Sequence, residues 1–163
     1  MKAAAERVQA AIRQLGLDRQ VIELGADART SQQAADALGV GAGQIAKSLV
    51  FTLHGRPLMV IASGINRVDE AKLGHLAGGP VRRASPEVVK QATGYTIGGV
   101  APFGHPGPLD VYIDGDLIGY ELIYAAAGLP DCVFPLSPAE LVRGTGGRVA
   151  DLKESRGGDG AGR

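Results

Sequence analysis

A lysine stands inside an apolar run, Ile45-Ala46-Lys47-Ser48-Leu49-Val50-Phe51. If the run is a strand, side chains alternate between faces, and Lys47 shares its face with Ile45, Leu49 and Phe51. An ammonium among core-facing groups is costly unless a cavity, a carboxylate or a ligand receives it. Two readings stay open: an amine held for chemistry, or a strand-end lysine whose stem packs while its head reaches water. A second feature is the stretch Thr93-Gly94-Tyr95-Thr96-Ile97-Gly98-Gly99-Val100-Ala101-Pro102-Phe103-Gly104-His105. A glycine pair followed by a proline-braced turn lets the N–H groups of Gly98, Gly99, Val100 and Ala101 point into a cleft. There they can bind a carbonyl oxygen or stabilise an oxyanion. A plain Gly/Pro turn before Pro102 is the alternative, and the phosphate-cradling GxxxxGK[ST] pattern is absent.

Other chemistries have weaker footing. There is no GxSxG, and Cys132 in Pro130-Asp131-Cys132-Val133-Phe134 reads as a structural thiol at a buried strand entrance. His105, just after the turn, could orient a water or a ribose, or be an ordinary surface-loop histidine. Asp110, Asp114, Asp116 and Glu121 are close in sequence. The strand character of Val111-Tyr112-Ile113 and the lack of calcium-loop spacing argue against a cation site, and Asp114-Gly115-Asp116 reads as a turn. His54, His75 and His105 lie far apart without ligand spacing. One cysteine excludes an internal disulfide framework and a zinc site of several thiolates. No metal or other cofactor is expected.

The elements that must position these residues follow from periodicity and punctuation. Val8, Ala11, Ile12 and Leu15 predict a helix over residues 3–15, ended by Gly16. Val21–Leu24 is a short strand. Thr30-Ser31-Gln32-Gln33 resembles a capping box opening a helix that ends at Gly39. Ile45–Leu53 and Pro57–Ala62, joined through His54-Gly55, predict a hairpin. Helices are expected over Val68–Leu76 and from Ser85-Pro86-Glu87 to about Ala92. Residues 93–108 are turn-dominated. Strands are expected at Asp110–Ile113, over Leu117–Ala126 with an interruption allowed, and at Cys132–Leu136. A short helix Ala139–Val142 opens at Ser137-Pro138, and Val149–Leu152 is an edge strand. Strands and helices in this order, partly joined by hairpins, predict a mixed α/β or α+β domain with a mixed, mostly antiparallel sheet.

The 163 residues suit one domain over 1–155, and the glycine-rich RGGDGAGR from Arg156 onward is expected to be disordered. At 45% hydrophobic and 21% charged, the chain is neither a disordered nor a fibrous sequence. No apolar run approaches the ~20 residues of a membrane helix. The N-terminus alternates charges where a signal peptide would be apolar. A cytoplasmic protein with no membrane partner is expected. Net charge is zero, yet residues 47–90 hold seven basic and three acidic residues, and 109–140 hold six acidic residues and no Lys or Arg. Gathered on one face, the basic stretch would steer a polyanion; scattered, it is ordinary surface patterning.

Four segments together are similar to the YbaK/prolyl-tRNA synthetase-associated (ProX-like) editing-domain family. They are Ile45–Val50; Ala62-Ser63-Gly64 with Asn66-Arg67-Val68-Asp69; Thr93-Gly94-Tyr95 with Gly98–Pro102; and Val111–Asp114. The resemblance spans about residues 30–152. It implies a free-standing deacylase acting on the ester between a wrong amino acid and the acceptor end of tRNA, often proline tRNA. Lys47 matches the family's principal functional lysine, and Gly98 and Pro102 match its pocket-shaping loop. Ser48, Ser63 and Asn66 are expected as polar pocket members beside the Gly98–Ala101 amides, and prolyl-tRNA synthetase or a translation factor as a recruiting partner. An aminoacyl ester is already activated, so charge stabilisation and substrate placement suffice without a covalent nucleophile. Ala126 stands where the cysteinyl-tRNA branch has a serine, which weakens a cysteine-specific reading. The competing class is a non-catalytic module that binds aminoacyl-tRNA or a nucleotide.

Overall fold

A computed structural model describes residues 1–155; the expected tail from Arg156 lies outside the described residues. Eight strands form one mixed sheet. Its framework is the hairpin of β2 (Ile45–Leu53) and β3 (Arg56–Ser63), in antiparallel register from Ala46↔Ser63 to Leu53↔Arg56. His54 and Gly55 both have positive φ (50° and 80°), the geometry a two-residue turn needs to match strand twist. On the β3 side follow β5 (Asp110–Asp114) and the edge strand β8 (Arg148–Ala150), both parallel to their inner neighbour. On the β2 side come β6 (Ile123–Ala126), parallel to β2, then β7 (Cys132–Leu136) and β1 (Ile22–Glu23), each antiparallel to its predecessor.

The helices cap as their sequences dictate. The first, α1, covers Ala3–Gln14, and α2 covers Ser31–Leu38 with the Thr30/Gln33 capping box formed and Gly39 left-handed behind it. Asp69 accepts from the Lys72 N–H and starts α3 at Glu70–Ala77, two residues later than periodicity predicts, because Val68 bridges to Lys153 as extended chain. Ser85 and Pro86 open α4 (Pro86–Thr93), and Ser137 and Pro138 open α5 (Pro138–Thr145), which runs three residues beyond its expected end.

Two stretches differ from expectation in kind rather than in bounds. A short strand, β4 (Val81–Arg83), pairs antiparallel with the end of β2, where the sequence shows no apolar run. The stretch expected as a strand from Leu117 instead begins with a 3₁₀ turn over Gly115–Gly119, and β6 starts only at Ile123. The Asp114 carboxylate accepts the Asp116 N–H and caps that turn.

The two sheet faces carry separate cores. One unites α1, the 95–103 loop and α5 residues with Ala46, Val50, Met59, Ile61, Ile113 and Phe134. The other packs Phe51, Leu53, Leu58, Val60 and Ala62 against Leu73 of α3. A third, smaller cluster sets Ala34 and Ala35 of α2 on Ile45. Lys47, odd-numbered on β2, thus rises on the α2/α3 face, with Ile45 and Phe51 buried on either side of it.

Candidate active site

The site begins with a break in the sheet. Gly64 N–H donates to the Ile45 carbonyl (2.8 Å), so odd-numbered β2 residues turn their main-chain groups toward β3 and even-numbered ones away. On that far edge β6 pairs with Ile45 and Ala46, β4 pairs with Phe51 to Leu53, and Ala84 N–H donates to the Val50 carbonyl (3.1 Å). Between them no strand of the described residues lies beside Ser48. Its main-chain N–H and C=O open into the gap. The Ser48 hydroxyl is buried with no hydrogen-bond partner among the described residues, a costly condition for a polar group.

A cavity of about 250 Å³ occupies the break. Lys47, Ser48, Gly98 and Val100 are among its walls, with Arg29 just before α2, Ser31 at its first position, and Arg83 and Ala84 from the β4–α4 edge. Its apolar walls include the small residues Ala126, Val50, Val89 and Val133 together with the larger Leu49, Ile97 and Pro130. Lys47 is half-buried. Burial lowers its pKa from the ordinary 10.5, the Arg83 and Arg67 charges lower it further, and Asp114 opposes them more weakly. None of the ion pairs among the described residues involves Lys47. The result is a cationic hollow whose lining among the described residues holds no carboxylate, suited to an anionic or carbonyl-bearing guest.

The loop opposite owes its shape to two glycines. Gly99 N–H donates to the Thr96 carbonyl (3.0 Å), closing a turn whose third residue, Gly98, has φ +93°, as a type II turn requires. Gly99 itself lies against the β6–β7 connection, where an added Cβ would sit 2.8 Å from the Gly128 carbonyl carbon and oxygen. The Gly99 amide is therefore spent within the turn, whereas the amides of Gly98, Val100 and Ala101 donate to no main-chain carbonyl among the described residues. Val100 and Ala101 are buried.

The remaining residues singled out from sequence have other surroundings. Ser63 is fully buried; its N–H donates to Asp114 Oδ2 (3.0 Å) and its hydroxyl to the Gly43 carbonyl (2.8 Å). Asn66 donates to both Asp114 and Asp116 at 2.8 Å, and Asp116 accepts from Lys153. Together these groups form a polar hub at the end of β3. Pro102 and His105 line a separate cavity of about 400 Å³ beside α1 and α5. His105 Nε2 is 2.8 Å from the Ala101 carbonyl, and its ring meets Tyr95 edge-on. Cys132 is buried, and burial with neighbouring carboxylates pushes its thiol up to about 11. Sequence reasoning did not single out Arg29, Arg83 or the β2 break. Arg83 carried a signal in the basic stretch, but the break depends on β4, which shows no strand pattern. Among the described residues no group of three His, Cys, Asp or Glu side chains converges on a metal position, and no helix is long and apolar enough to cross a membrane.

Comparison with known proteins agrees with this architecture. A crystal structure described as "a putative trans-editing enzyme for prolyl tRNA synthetase" shares 46% identity, superposes with a TM-score of 0.92, and matches 95% of this chain and 99% of its own. The uncharacterized protein YwhH of Bacillus subtilis is 34% identical over 125 residues, 76% of this chain and 80% of that one. A proline–tRNA ligase of Maridesulfovibrio salexigens is 33% identical over 95 residues, 58% of this chain but 15% of the ligase. The model of the aminoacyl-tRNA editing domain matches residues 25–143, the span that holds the β2 break, Lys47 and the Gly98–Ala101 turn. The chain belongs to the aminoacyl-tRNA editing domain family.

Proposed function

We propose that this chain hydrolyses mischarged aminoacyl-tRNA in trans, acting on proline tRNA that carries a small non-cognate amino acid. The observation that carries the reading is the half-buried Lys47 ammonium, in no ion pair among the described residues, in a cavity walled also by Gly98 and Val100. The similarity to a region of proline–tRNA ligases supports the choice of tRNA. In this mechanism the charged 3′ end enters the gap between β6 and β4 along the edge of β2. Arg83 and Arg29 at the cavity draw the terminal phosphates. Lys47 and the free amides of the loop hold the ester carbonyl and stabilise the oxyanion formed when water adds to its carbon. The bond from that carbon to the ribose oxygen then breaks, the ribose oxygen takes a proton, and free amino acid and tRNA leave. No covalent enzyme intermediate and no metal is needed, because the ester is already activated. This work belongs in the cytoplasm, where tRNA is charged.

Ser48, Gly98 and Val100 contact the substrate; Ser63 and Asn66 fix the β3 end that holds Lys47's neighbours in register; His105 and Pro102 support the loop from behind. The Val50, Val89, Ala126 and Val133 walls suit a short acyl side chain, and Ala126 offers no hydroxyl for a thiol or alcohol. Pocket fit alone separates acyl groups differing by one methylene by about 1–3 kcal/mol, so a prolyl-tRNA synthetase partner or acceptor-stem contacts supply the tRNA choice. The test is a panel of mischarged tRNAs incubated with the protein in chelator. The expected result is release of at least one small amino acid from proline tRNA. Tight binding with no release from any member would instead establish a non-catalytic module.

A further inference from the structure

The loop that lines the cavity is tied at its neck. Tyr95 lies fully buried two residues before Ile97, and its hydroxyl donates to the Phe103 carbonyl (2.9 Å), three residues beyond Val100. Both ends of the turn therefore hang on one aromatic side chain. Thr93 adds a bond at the base, its hydroxyl accepting the Tyr95 N–H (3.1 Å). Tyr95 is also held from another part of the chain. Arg7, on α1 and outside residues 25–143, stacks its guanidinium over the Tyr95 ring at 4.3 Å from the centroid. The same group donates to the Gly94 carbonyl at 2.7 Å. Gly94 leaves room for it: an added Cβ there would meet Arg7 Nη2 at 2.6 Å. The helix reaches the tip of the loop as well. Gly128 packs on the Ala4 carbonyl, and Gly99 packs on Gly128, so α1, Gly128 and the turn form one stack.

We propose that Arg7 is a positioning residue for the reaction: it clamps Tyr95 and Gly94 so that Gly98 and Val100 keep their place in the wall of the cavity that Lys47 also lines. The proposal rests on the deacylase reading for its kinetic consequence, though not for the clamp. A planar guanidinium satisfies both contacts at once, stacking on a ring while donating in its plane, which a lysine ammonium cannot reproduce. Because Arg7 is exposed, its loss leaves the core intact. A loop displaced by about 1 Å costs up to about 100-fold in rate when the lost alignment is catalytic.

The test pairs hydrogen exchange with kinetics on Arg7→Ala, Arg7→Lys and a control, Arg13→Ala, on the same helix. The expected result for Arg7→Ala is faster exchange over residues 94–104 with β2 and β3 unchanged, and kcat down roughly tenfold or more with KM held within about twofold. Arg7→Lys recovers part of both effects, and Arg13→Ala shows neither. Unchanged exchange overturns the clamp. A raised, salt-sensitive KM with kcat intact would make Arg7 a phosphate contact and equally overturn it. Exchange is read without substrate, so an inactive wild-type chain would sink the deacylase reading while the clamp is still judged on its own.

Discussion

Lys47 is costly to the fold, and its cost has a sign. Burial and the Arg83 and Arg67 charges lower its folded pKa below the unfolded 10.5, so between those values the unfolded chain binds more protons. Stability then rises with pH across that window and carries the full penalty below it. Lys47→Met, which keeps the stem and removes the charge, is expected to raise Tm at neutral pH while abolishing deacylation; a lower Tm in calorimetry would mean the ammonium is well accommodated in the fold. The part of the activity that depends on Lys47, wild type minus Lys47→Ala, is expected to decline as pH rises through a value below 10.5. A profile flat to that point would deny the charged amine its part. Cys132 offers a contrast. With its thiol pushed up to about 11, it stays protonated and buried, and treatment with iodoacetamide at neutral pH is expected to leave activity intact. The lysine could be picked out in the sequence because a charge interrupts an apolar alternation. Its surroundings could not, since Arg83 and Arg67 reach it only through the folding of β2 against β3 and β4.

At the scale of elements, the gap along the outer edge of β2 exists because β6 stops after two paired residues and β4 begins five residues further along. The hairpin, the Thr30 capping box and the Ser85-Pro86 start were readable because each is specified by neighbours within a few positions. β4 was not: Val81-Arg82-Arg83 has no alternation, and pairing with an existing edge makes it a strand. The Leu117 stretch misled for the opposite reason, since its apolar residues serve a 3₁₀ turn capped by Asp114. Two substitutions test these supports. Gly99→Ala places a Cβ 2.8 Å from the Gly128 backbone; it is expected to cost about 1–3 kcal/mol and to reduce kcat by displacing the turn, checked by denaturant unfolding and kinetics together. Asp114→Ala strips acceptors from the Ser63 and Asp116 N–H groups and from Asn66. It is expected to destabilise by about 1–3 kcal/mol, the scale of the buried Ser63 N–H left without its acceptor, while Asn66 keeps its bond to Asp116. Loss below 1 kcal/mol in either case would show that the close contact or the hub carries little.

For the whole molecule, the neutral net charge conceals a division of labour. Lys47, Arg83 and Arg29 gather at the cavity, whereas Lys72 and Lys153 are engaged with Asp151 and Asp116 in the hub region. Within the basic stretch of residues 47–90, Lys47 and Arg83 thus serve the site and Lys72 the structural network, a partition that sequence order cannot reveal. Phosphate contacts at the site release counterions, so KM for tRNA is expected to rise with salt, and Arg83→Ala to flatten that slope by about one; identical slopes would remove Arg83 from tRNA binding. The most direct test of the account is single-turnover release of the amino acid from the mischarged tRNA that the panel identifies, comparing wild type with Lys47→Ala at saturating protein. The account predicts that bond cleavage slows by roughly 100-fold or more, the scale of a lost oxyanion donor, while the tRNA still binds. Cleavage at the wild-type rate in Lys47→Ala would contradict it.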